Sequence, residues 1–190
     1  MEPISEAAIR ASFVNCSKGE AARIKLPADF RDVPWGDLDF FGWIDPSAPQ
    51  RAAIVVPGAA SASGPGPGAA SASGTGAAIG SAPVAILLRK AERGGGRGSA
   101  ARSSMCQVCL TDHSAGGVSL FTAPLAGAAG RNGNSVGEYL CSDLACSLYL
   151  RGKRRPRMRL VRFEETLTQT EKIDRALLKL TAFTTRITAA

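Results

Sequence analysis

Cys106-Gln107-Val108-Cys109 is the first of two tight cysteine pairs in this chain, and Cys141-Ser142-Asp143-Leu144-Ala145-Cys146 is the second. Two such pairs can place four thiolates around one tetrahedral zinc ion, with Zn–S distances of about 2.3 Å. A redox-active pair at Cys106 and Cys109 or a set of buried thiols are the alternatives, but the redox interpretation leaves the second pair unexplained. The spacing predicts one structural Zn²⁺ ion, because four thiolate ligands leave no position open for water or substrate.

The histidine and the fifth cysteine of the chain lie outside this predicted metal site. His113 follows Cys109 at a spacing that also suits a zinc ligand, but it stands beside Asp112 in a polar stretch. We therefore expect His113 to be a solvated surface group. Cys16 has no partner nearby in the sequence, so we expect a small buried hydrophobic side chain there and not a nucleophile.

The length and composition are those of a globular domain. The chain has 190 residues, of which 45% are hydrophobic and 21% are charged. No stretch reaches the roughly 18 apolar residues of a membrane-spanning helix, and residues 1–31 contain no apolar run of signal-peptide length. We therefore expect a cytoplasmic protein that does not contact a membrane, and in a reducing compartment cysteines favour metal binding over disulfides.

The net charge of +7 is concentrated towards the C-terminus, directly after the second cysteine pair. The cations of this basic run are Arg151, Lys153, Arg154, Arg155, Arg157 and Arg159. Such a run attracts phosphate groups or an acidic protein surface. The alternative is a solvated basic loop that has no partner.

A repetitive insert interrupts what we predict to be one hairpin. Gly58–Gly64 and Gly68–Gly74 are identical Gly-Ala-Ala-Ser-Ala-Ser-Gly heptads, and this composition has little apolar surface to bury against its ordering entropy. We predict a disordered insert at 57–83 and a second flexible, glycine-rich segment at 94–104. The flanking stretches Ala52–Val56 and Val84–Arg89 are β-branched and predict paired strands, so residues 1–190 form a single domain.

The remaining patterns predict an α+β fold in which a small antiparallel sheet carries a treble-clef zinc finger and flanking helices. Strands at Gly117–Thr122 and Ser135–Leu140, joined by a turn at Gly127–Asn134, separate the cysteine pairs, and a helix at Asp143–Tyr149 follows. A knuckle, a hairpin and then a helix bearing the last two ligands is the order of elements in a treble clef.

Helices are predicted near both ends of the chain. Towards the N-terminus we expect one at Glu6–Val14 and one that starts at a capping box at Ser17. A second capping box at Thr168 starts the C-terminal helix, which we expect to pack on the sheet. Its predicted apolar stripe consists of Ile173, Leu177, Leu180 and Ile187, with Phe183 alongside. The aromatic cluster between Trp35 and Trp43 is expected in the core and not as an exposed platform for bases.

Several stretches together resemble the C-terminal treble-clef zinc-finger domain of the elongation-factor-G-binding proteins associated with fusidic acid resistance. These stretches are Ile9-Arg10-Ala11-Ser12-Phe13-Val14-Asn15, Leu38-Asp39-Phe40-Phe41-Gly42-Trp43, Met105-Cys106-Gln107-Val108-Cys109, Gly130-Arg131-Asn132-Gly133-Asn134-Ser135-Val136-Gly137 and Tyr139-Leu140-Cys141-Ser142-Asp143-Leu144-Ala145-Cys146-Ser147-Leu148-Tyr149. The resemblance implies a non-enzymatic protein that binds elongation factor G and promotes its release from the ribosome. It also implies that Cys106, Cys109, Cys141 and Cys146 are the zinc ligands.

The candidate contacts with such a partner lie on the zinc finger. Phe121 and Tyr139 are the candidate aromatic anchors, and Arg131, Arg151 and Lys153 are candidate charge partners, since aromatic residues and arginine dominate interface hot spots. Inward packing of both aromatic rings is the alternative. Val136, Glu138 and Leu140 alternate onto one face of their strand, with Tyr139 on the other.

Two further classes of function compete with this one. A zinc finger that binds the ribosome or its RNA directly through residues 151–159 is the alternative, and such binding weakens steeply with salt. We expect no enzymatic activity and no small-molecule substrate, because the sequence has no phosphate-cradling glycine loop and no paired carboxylates beside a nucleophile.

Overall fold

The computed structural model describes residues 1–58, 82–91, 105–114, 116–156 and 165–189. Most of the predicted insert at 57–83 and all of the glycine-rich segment at 94–104 lie outside the described residues, as do Arg157 and Arg159.

Five strands form one antiparallel sheet, which confirms the predicted α+β class. The strands are β1 (Phe41–Ile44), β2 (Arg51–Val56), β3 (Val84–Lys90), β4 (Val118–Pro124) and β5 (Ser135–Cys141). Their order across the sheet is their order along the chain, and every neighbouring pair is antiparallel. The two predicted hairpins are therefore present, and β2 pairs with β3 from Arg51 opposite Arg89 to Val56 opposite Val84.

The β2–β3 hairpin lies at the centre of the protein because both of its faces are covered. Ala52, Ile54 and Val56 face one apolar cluster, whereas Ala53 and Val55 face a second cluster. Residues 52–56 are all buried, as expected for a strand between two layers. The first cluster contains the four cysteines of the two pairs and the C-terminal helix, and the second contains the N-terminal helix and the aromatic residues.

The aromatic cluster is part of this second core, as predicted. The Phe41 and Trp43 rings stack with their centroids 5.0 Å apart, and both side chains are buried. The Trp43 Nε1–H donates to the Lys25 carbonyl at 2.9 Å, so the polar atom of the ring has a partner. These rings support the sheet and do not form an exposed platform.

The N-terminal segment forms α1 (Glu6–Ala11) and α2 (Lys18–Arg23), and α2 starts at the predicted capping box of Ser17. The prediction that the first helix continues to Val14 is wrong, because the next residues pair with β3. The Val14 N–H donates to the Ala85 carbonyl at 3.0 Å, and the Ala85 N–H donates to the Ser12 carbonyl at 2.9 Å. Tertiary hydrogen bonds with β3 replace the last helical turn.

Asn15 joins the N-terminal segment to β3 and β4, at the place where these two strands move apart. These two strands pair only at Arg89 and Lys90. Further along, the buried Asn15 amide accepts a hydrogen bond from the Leu87 N–H and donates to the carbonyls of Leu87 and Pro124. The side chain thus satisfies backbone groups that the separated strands cannot satisfy with each other.

Two short helices, α3 (Gly127–Arg131) and α4 (Cys146–Leu150), flank β5, and α5 (Gln169–Thr188) completes the fold. A plain turn was predicted at Gly127–Asn134, but residues 127–131 are helical. Gly130 permits this conformation, because a Cβ there would lie 1.8 Å from the Leu125 carbonyl oxygen.

The C-terminal helix α5 begins after the predicted capping box at Thr168. Its buried stripe is rotated relative to the prediction and consists of Ala176, Leu180, Phe183 and Ile187. Ile173 and Leu177 are only half-buried. The buried stripe joins the same core as Phe121 and Leu140, so α5 packs on the sheet as predicted. Among the described residues, no helix combines the length and the hydropathy that crossing a membrane requires.

Candidate metal centre

The first cysteine pair lies in a tight turn that is stabilised by hydrogen bonds of its own backbone. The Leu110 N–H donates to the Cys106 carbonyl at 3.0 Å, and the Cys106 N–H donates to the Thr111 carbonyl at 3.1 Å. Leu110 has a φ of 54°, a left-handed conformation that is uncommon outside glycine. The turn brings the buried thiols of Cys106 and Cys109 to one site.

The second pair spans the end of a strand and the start of a helix. Cys141 is the last residue of β5, and Cys146 is the first residue of α4. The predicted helix at Asp143–Tyr149 is wrong at its start, because Leu144 adopts a φ of 56° and its N–H donates to the Cys141 carbonyl at 2.8 Å. Because of this second tight turn, the helix begins only at Cys146.

The four thiols lie close enough together to surround one metal ion. All four Sγ atoms lie within 4.8 Å of one another. The Sγ atoms of Cys106 and Cys146 are 3.7 Å apart, and those of Cys109 and Cys141 are 3.4 Å apart. A tetrahedron with Zn–S bonds of about 2.3 Å has S–S separations of about 3.8 Å. The four predicted ligands therefore form one site that can hold a metal ion.

Without a cation, these four thiols cannot all ionise. Hydrogen bonds from Cys109, Cys141 and Cys146 lower the pKa of Cys106. The pKa values of Cys141 and Cys146 are raised, first by their hydrogen bonding with Cys106 and also by burial. A bound dication supplies the positive charge that lets several buried thiolates coexist, so metal binding displaces protons from the site.

His113 is buried, which corrects the expectation of a solvated surface group. Only 7% of its surface is exposed. Its Nε2 lies 3.2 Å from the Cys141 Sγ, and its ring meets the Tyr149 ring edge-on at 4.9 Å. Burial lowers the pKa of His113, which favours the neutral ring. A neutral imidazole at this distance can donate a hydrogen bond to the Cys141 sulfur and orient it, outside the set of four ligands.

A polar network continues outward from His113. The Tyr149 hydroxyl donates to Asp143 at 2.9 Å, and the Arg154 guanidinium lies 3.4 Å from the same carboxylate. Burial, followed by the hydrogen bond to Asp143, raises the pKa of Tyr149. The network fixes the loop between the two ligands of the second pair, because Asp143 lies within that loop.

The second knuckle packs directly on the edge strand β1. A Cβ at Gly42 would lie 2.8 Å from the Leu144 Cβ and 3.1 Å from the Leu144 carbonyl oxygen. Leu144 is buried in the same core as the four cysteines. The close approach of β1 to the knuckle therefore depends on the missing side chain at Gly42.

Comparison with protein families gives one match that covers most of the chain. The model of the FBP C-terminal treble-clef zinc-finger family matches residues 8–66 and 67–187. This chain belongs to that family. The match and the cysteine cluster together confirm the treble-clef zinc finger predicted from the sequence. Searches of curated proteins and of solved structures gave no match.

The two aromatic candidates for partner contact in this family member lie on opposite faces of the β4–β5 hairpin. Phe121 is 0% exposed and packs in the first core, so it is not available as a surface anchor. Tyr139 is 39% exposed. Its cross-strand neighbour Leu120 is half-buried on the same face. The predicted alternation holds, since Leu140 is buried on the face towards α5.

The cationic candidates differ in whether they already form ion pairs within the protein. Arg131 is exposed at the end of α3. Arg151 makes two hydrogen bonds to Asp39, at 2.6 and 3.2 Å. Lys153 lies 3.5 Å from Asp37 and remains largely exposed. Arg151 therefore joins α4 to the segment before β1, and its charge is already paired with that of Asp39.

Sequence reasoning missed the residues that support the site from outside the two pairs. Gln107 is one of these, because its N–H donates to the Tyr139 carbonyl and its side-chain oxygen accepts from the Tyr139 N–H, at 2.8 and 2.7 Å. The position of Gln107 between Cys106 and Cys109 is the sequence feature that could have identified it. Cys16 is half-buried, and burial together with Glu20 raises its pKa to about 11. The prediction of a buried side chain at Cys16 is therefore met only in part.

Proposed function

We propose that this protein holds one structural Zn²⁺ ion and binds elongation factor G, promoting its release from the ribosome. The observation that carries the proposal is the family match over residues 8–66 and 67–187, together with the resemblance to elongation-factor-G-binding proteins. Four buried thiols whose Sγ atoms lie within 4.8 Å of one another support zinc as the metal. With all four positions filled by sulfur, the proposed ion stabilises the finger and has no position for a substrate.

The surface that we propose for the partner is the outer face of the β4–β5 hairpin beside the first knuckle. Tyr139 supplies an exposed aromatic ring on this face, next to Leu120. Gln107 ties the knuckle to the Tyr139 backbone, so the metal site fixes the position of the ring. Rigid aromatic side chains of this kind are typical interface anchors. Arg131 adds a cation at the far end of the hairpin.

A binding function requires no catalytic machinery, and we propose that the protein is not an enzyme. The pKa of the half-buried Cys16 is raised, which disfavours a thiolate nucleophile. The remaining cysteines are the four proposed zinc ligands.

Direct RNA binding through residues 151–159 is less favoured by the described part of this segment. Carboxylates of the domain already lie beside Arg151, Lys153 and Arg154. Arg155 is exposed. A cation that is already paired gains less from a phosphate contact, because the first ion pair must be broken.

Binding of purified elongation factor G to the zinc-loaded protein tests the proposal. We expect saturable binding in a calorimetric titration, and we expect Tyr139→Ala to weaken it by about tenfold, in the range of an interface hot spot. The matched control is Val14→Ala, which removes another exposed apolar side chain. Val14 lies beside β3, and its loss should change the affinity by less than about twofold.

Zinc content and the melting temperature of each variant show whether the fold is intact. If the wild-type protein shows no saturable binding, the proposed partner is wrong. If Tyr139→Ala and Val14→Ala bind equally well, the factor binds elsewhere and the proposed surface is wrong. Release from the ribosome is measured separately, by pelleting ribosomes with elongation factor G trapped by fusidic acid and recording the factor that this protein returns to the supernatant.

A further inference from the structure

A basic groove lies at the end of the β2–β3 hairpin that carries Arg51 and Arg89. It has a volume of about 540 Å³, which is on the scale of a single small ligand. The cationic side chains on this face come from three elements and are Arg23 of α2, Arg51 of β2 and Arg89 of β3. Glu20 is the one carboxylate among the described lining residues.

The register of the hairpin places two of these arginines directly opposite each other. Arg51 and Arg89 are Cα partners in the β2–β3 ladder. Side chains opposite each other in an antiparallel pair lie on the same face with Cβ atoms about 5 Å apart, and like charges in such a pair destabilise the sheet. The arrangement therefore opposes stability unless anionic groups neutralise the two guanidinium groups.

Carboxylates of the domain compensate only part of this charge. Arg51 is paired with the buried Asp45, whose Oδ2 lies 2.9 Å from Nη2 and 3.0 Å from Nε. The guanidinium of Arg89 is exposed and has no ion pair among the described residues. Oε2 of Glu20 accepts hydrogen bonds from the Ser17 N–H and hydroxyl in the capping box of α2, at 2.9 Å each, so one negative charge of the domain faces Arg23 and Arg89.

The nearby cations are held in place by their own elements. The Arg23 Nε–H donates to the Gly19 carbonyl at 3.1 Å, within α2. The Lys90 ammonium lies on the other face of the sheet, where it donates to the Ser142 carbonyl at 3.2 Å and lies 5.8 Å from the centre of the Phe121 ring. Contacts within the domain therefore hold Arg23 and Arg51, which reduces the entropy lost when an anion binds to these two side chains.

We propose that this groove binds phosphate groups, either of a free nucleotide or of one nucleotide unit in an RNA strand. The planar guanidinium group matches the geometry of phosphate oxygens and forms two parallel hydrogen bonds with them. The volume falls in the range of sites that enclose a small ligand, whereas an acidic protein would need a larger and flatter area. The site is separate from the surface proposed for elongation factor G.

Fluorescence anisotropy of a fluorescein-labelled uridine hexanucleotide at low salt, with unlabelled pyrophosphate as competitor, tests this assignment. We expect Arg89→Gln and Arg23→Gln each to weaken binding by about tenfold, as for the loss of a hydrogen bond to a charged group. Each variant should also reduce the salt slope by about 0.7, the value for one phosphate contact on a single strand. Arg31→Gln is the matched control, because Arg31 is exposed and does not line the groove.

The melting temperature separates lost binding from lost structure. Removal of the like charge opposite Arg51 should leave the melting temperature of Arg89→Gln unchanged or raise it. If pyrophosphate displaces the RNA at a similar concentration, the ligand is a free phosphate compound, and if the RNA binds far more tightly, the ligand is an RNA strand. Both results support phosphate binding in the groove.

Three results would overturn the proposal that the groove binds phosphate groups. The first is that neither the RNA nor pyrophosphate binds the wild-type protein. The second is that Arg89→Gln, Arg23→Gln and Arg31→Gln all bind like wild type, with binding instead lost in Lys153→Gln/Arg155→Gln. The third is that an oligo-aspartate peptide displaces the RNA as readily as pyrophosphate does, which would make the groove a site for acidic protein segments.

Discussion

The chemistry of single residues at the metal centre depends on their burial. His113 is polar and stands beside an acidic residue in the sequence, but it lies against the Cys141 sulfur with almost no exposure to solvent. A neutral, buried imidazole can hold a metal-bound sulfur in one orientation, and such supporting contacts affect metal affinity. The same residue in solvent would have no such effect.

The His113→Ala substitution should therefore weaken zinc binding without removing a ligand. We expect a loss of affinity of about 10- to 100-fold, as for other residues that orient metal ligands. Competition with a chromophoric zinc chelator measures this affinity. Cys146→Ser, which removes a ligand, is the reference for complete loss of the site, and an affinity of His113→Ala equal to that of wild type would contradict the supporting role.

Elements in this protein begin and end where tertiary contacts replace local preferences. The first helix ends at Ala11 because the following residues pair with β3, and α4 starts at Cys146 because the knuckle occupies the residues before it. Both capping boxes, by contrast, form as predicted, since Ser17 and Thr168 each bond to the residue three positions on. Caps depend on neighbours in sequence, whereas the end of α1 depends on a distant strand and the start of α4 depends on the turn between Cys141 and Leu144.

The contact between β1 and the second knuckle gives a prediction at this scale. Gly42→Ala should lower the free energy of unfolding by about 1–3 kcal/mol, because its Cβ would overlap Leu144 in a packed core. Gly36→Ala is the control, since a Cβ at Gly36 meets no atom within 4 Å. Chemical denaturation of the zinc-loaded proteins measures both, and equal stability of the two variants would show that the knuckle does not pack on β1 in this way.

For the whole molecule, the metal site and the main core are one unit. The four cysteines belong to the same apolar cluster as the buried stripe of α5 and the central strands. A structural zinc ion in such a position contributes on the order of 10 kcal/mol to folding, which is comparable to the stability of a small domain. Loss of the metal should therefore affect the entire fold and not only the finger.

Zinc removal should be cooperative with unfolding and should depend on pH. The raised pKa values of Cys141 and Cys146 mean that these thiols hold protons in the metal-free protein, and zinc must displace them. The zinc affinity should therefore fall as the pH decreases, because each thiol that holds a proton must release it when zinc binds. Circular dichroism during titration with a chelator at several pH values measures both effects, and a metal-free protein that keeps the native spectrum and melting temperature would contradict the shared core.

The amino-acid sequence by itself identified the two cysteine pairs, the strand segments and the two capping boxes, because each of these depends on residue types at short spacing. It also identified the treble clef, whose order of elements follows the order of the chain. Only the tertiary structure decided the burial of His113 and Phe121, the pairing of Arg151 with Asp39 and the opposition of Arg51 and Arg89. The physical reason is that burial and ion pairing depend on residues far apart in the chain, which meet only when the sheet and its two covering layers assemble.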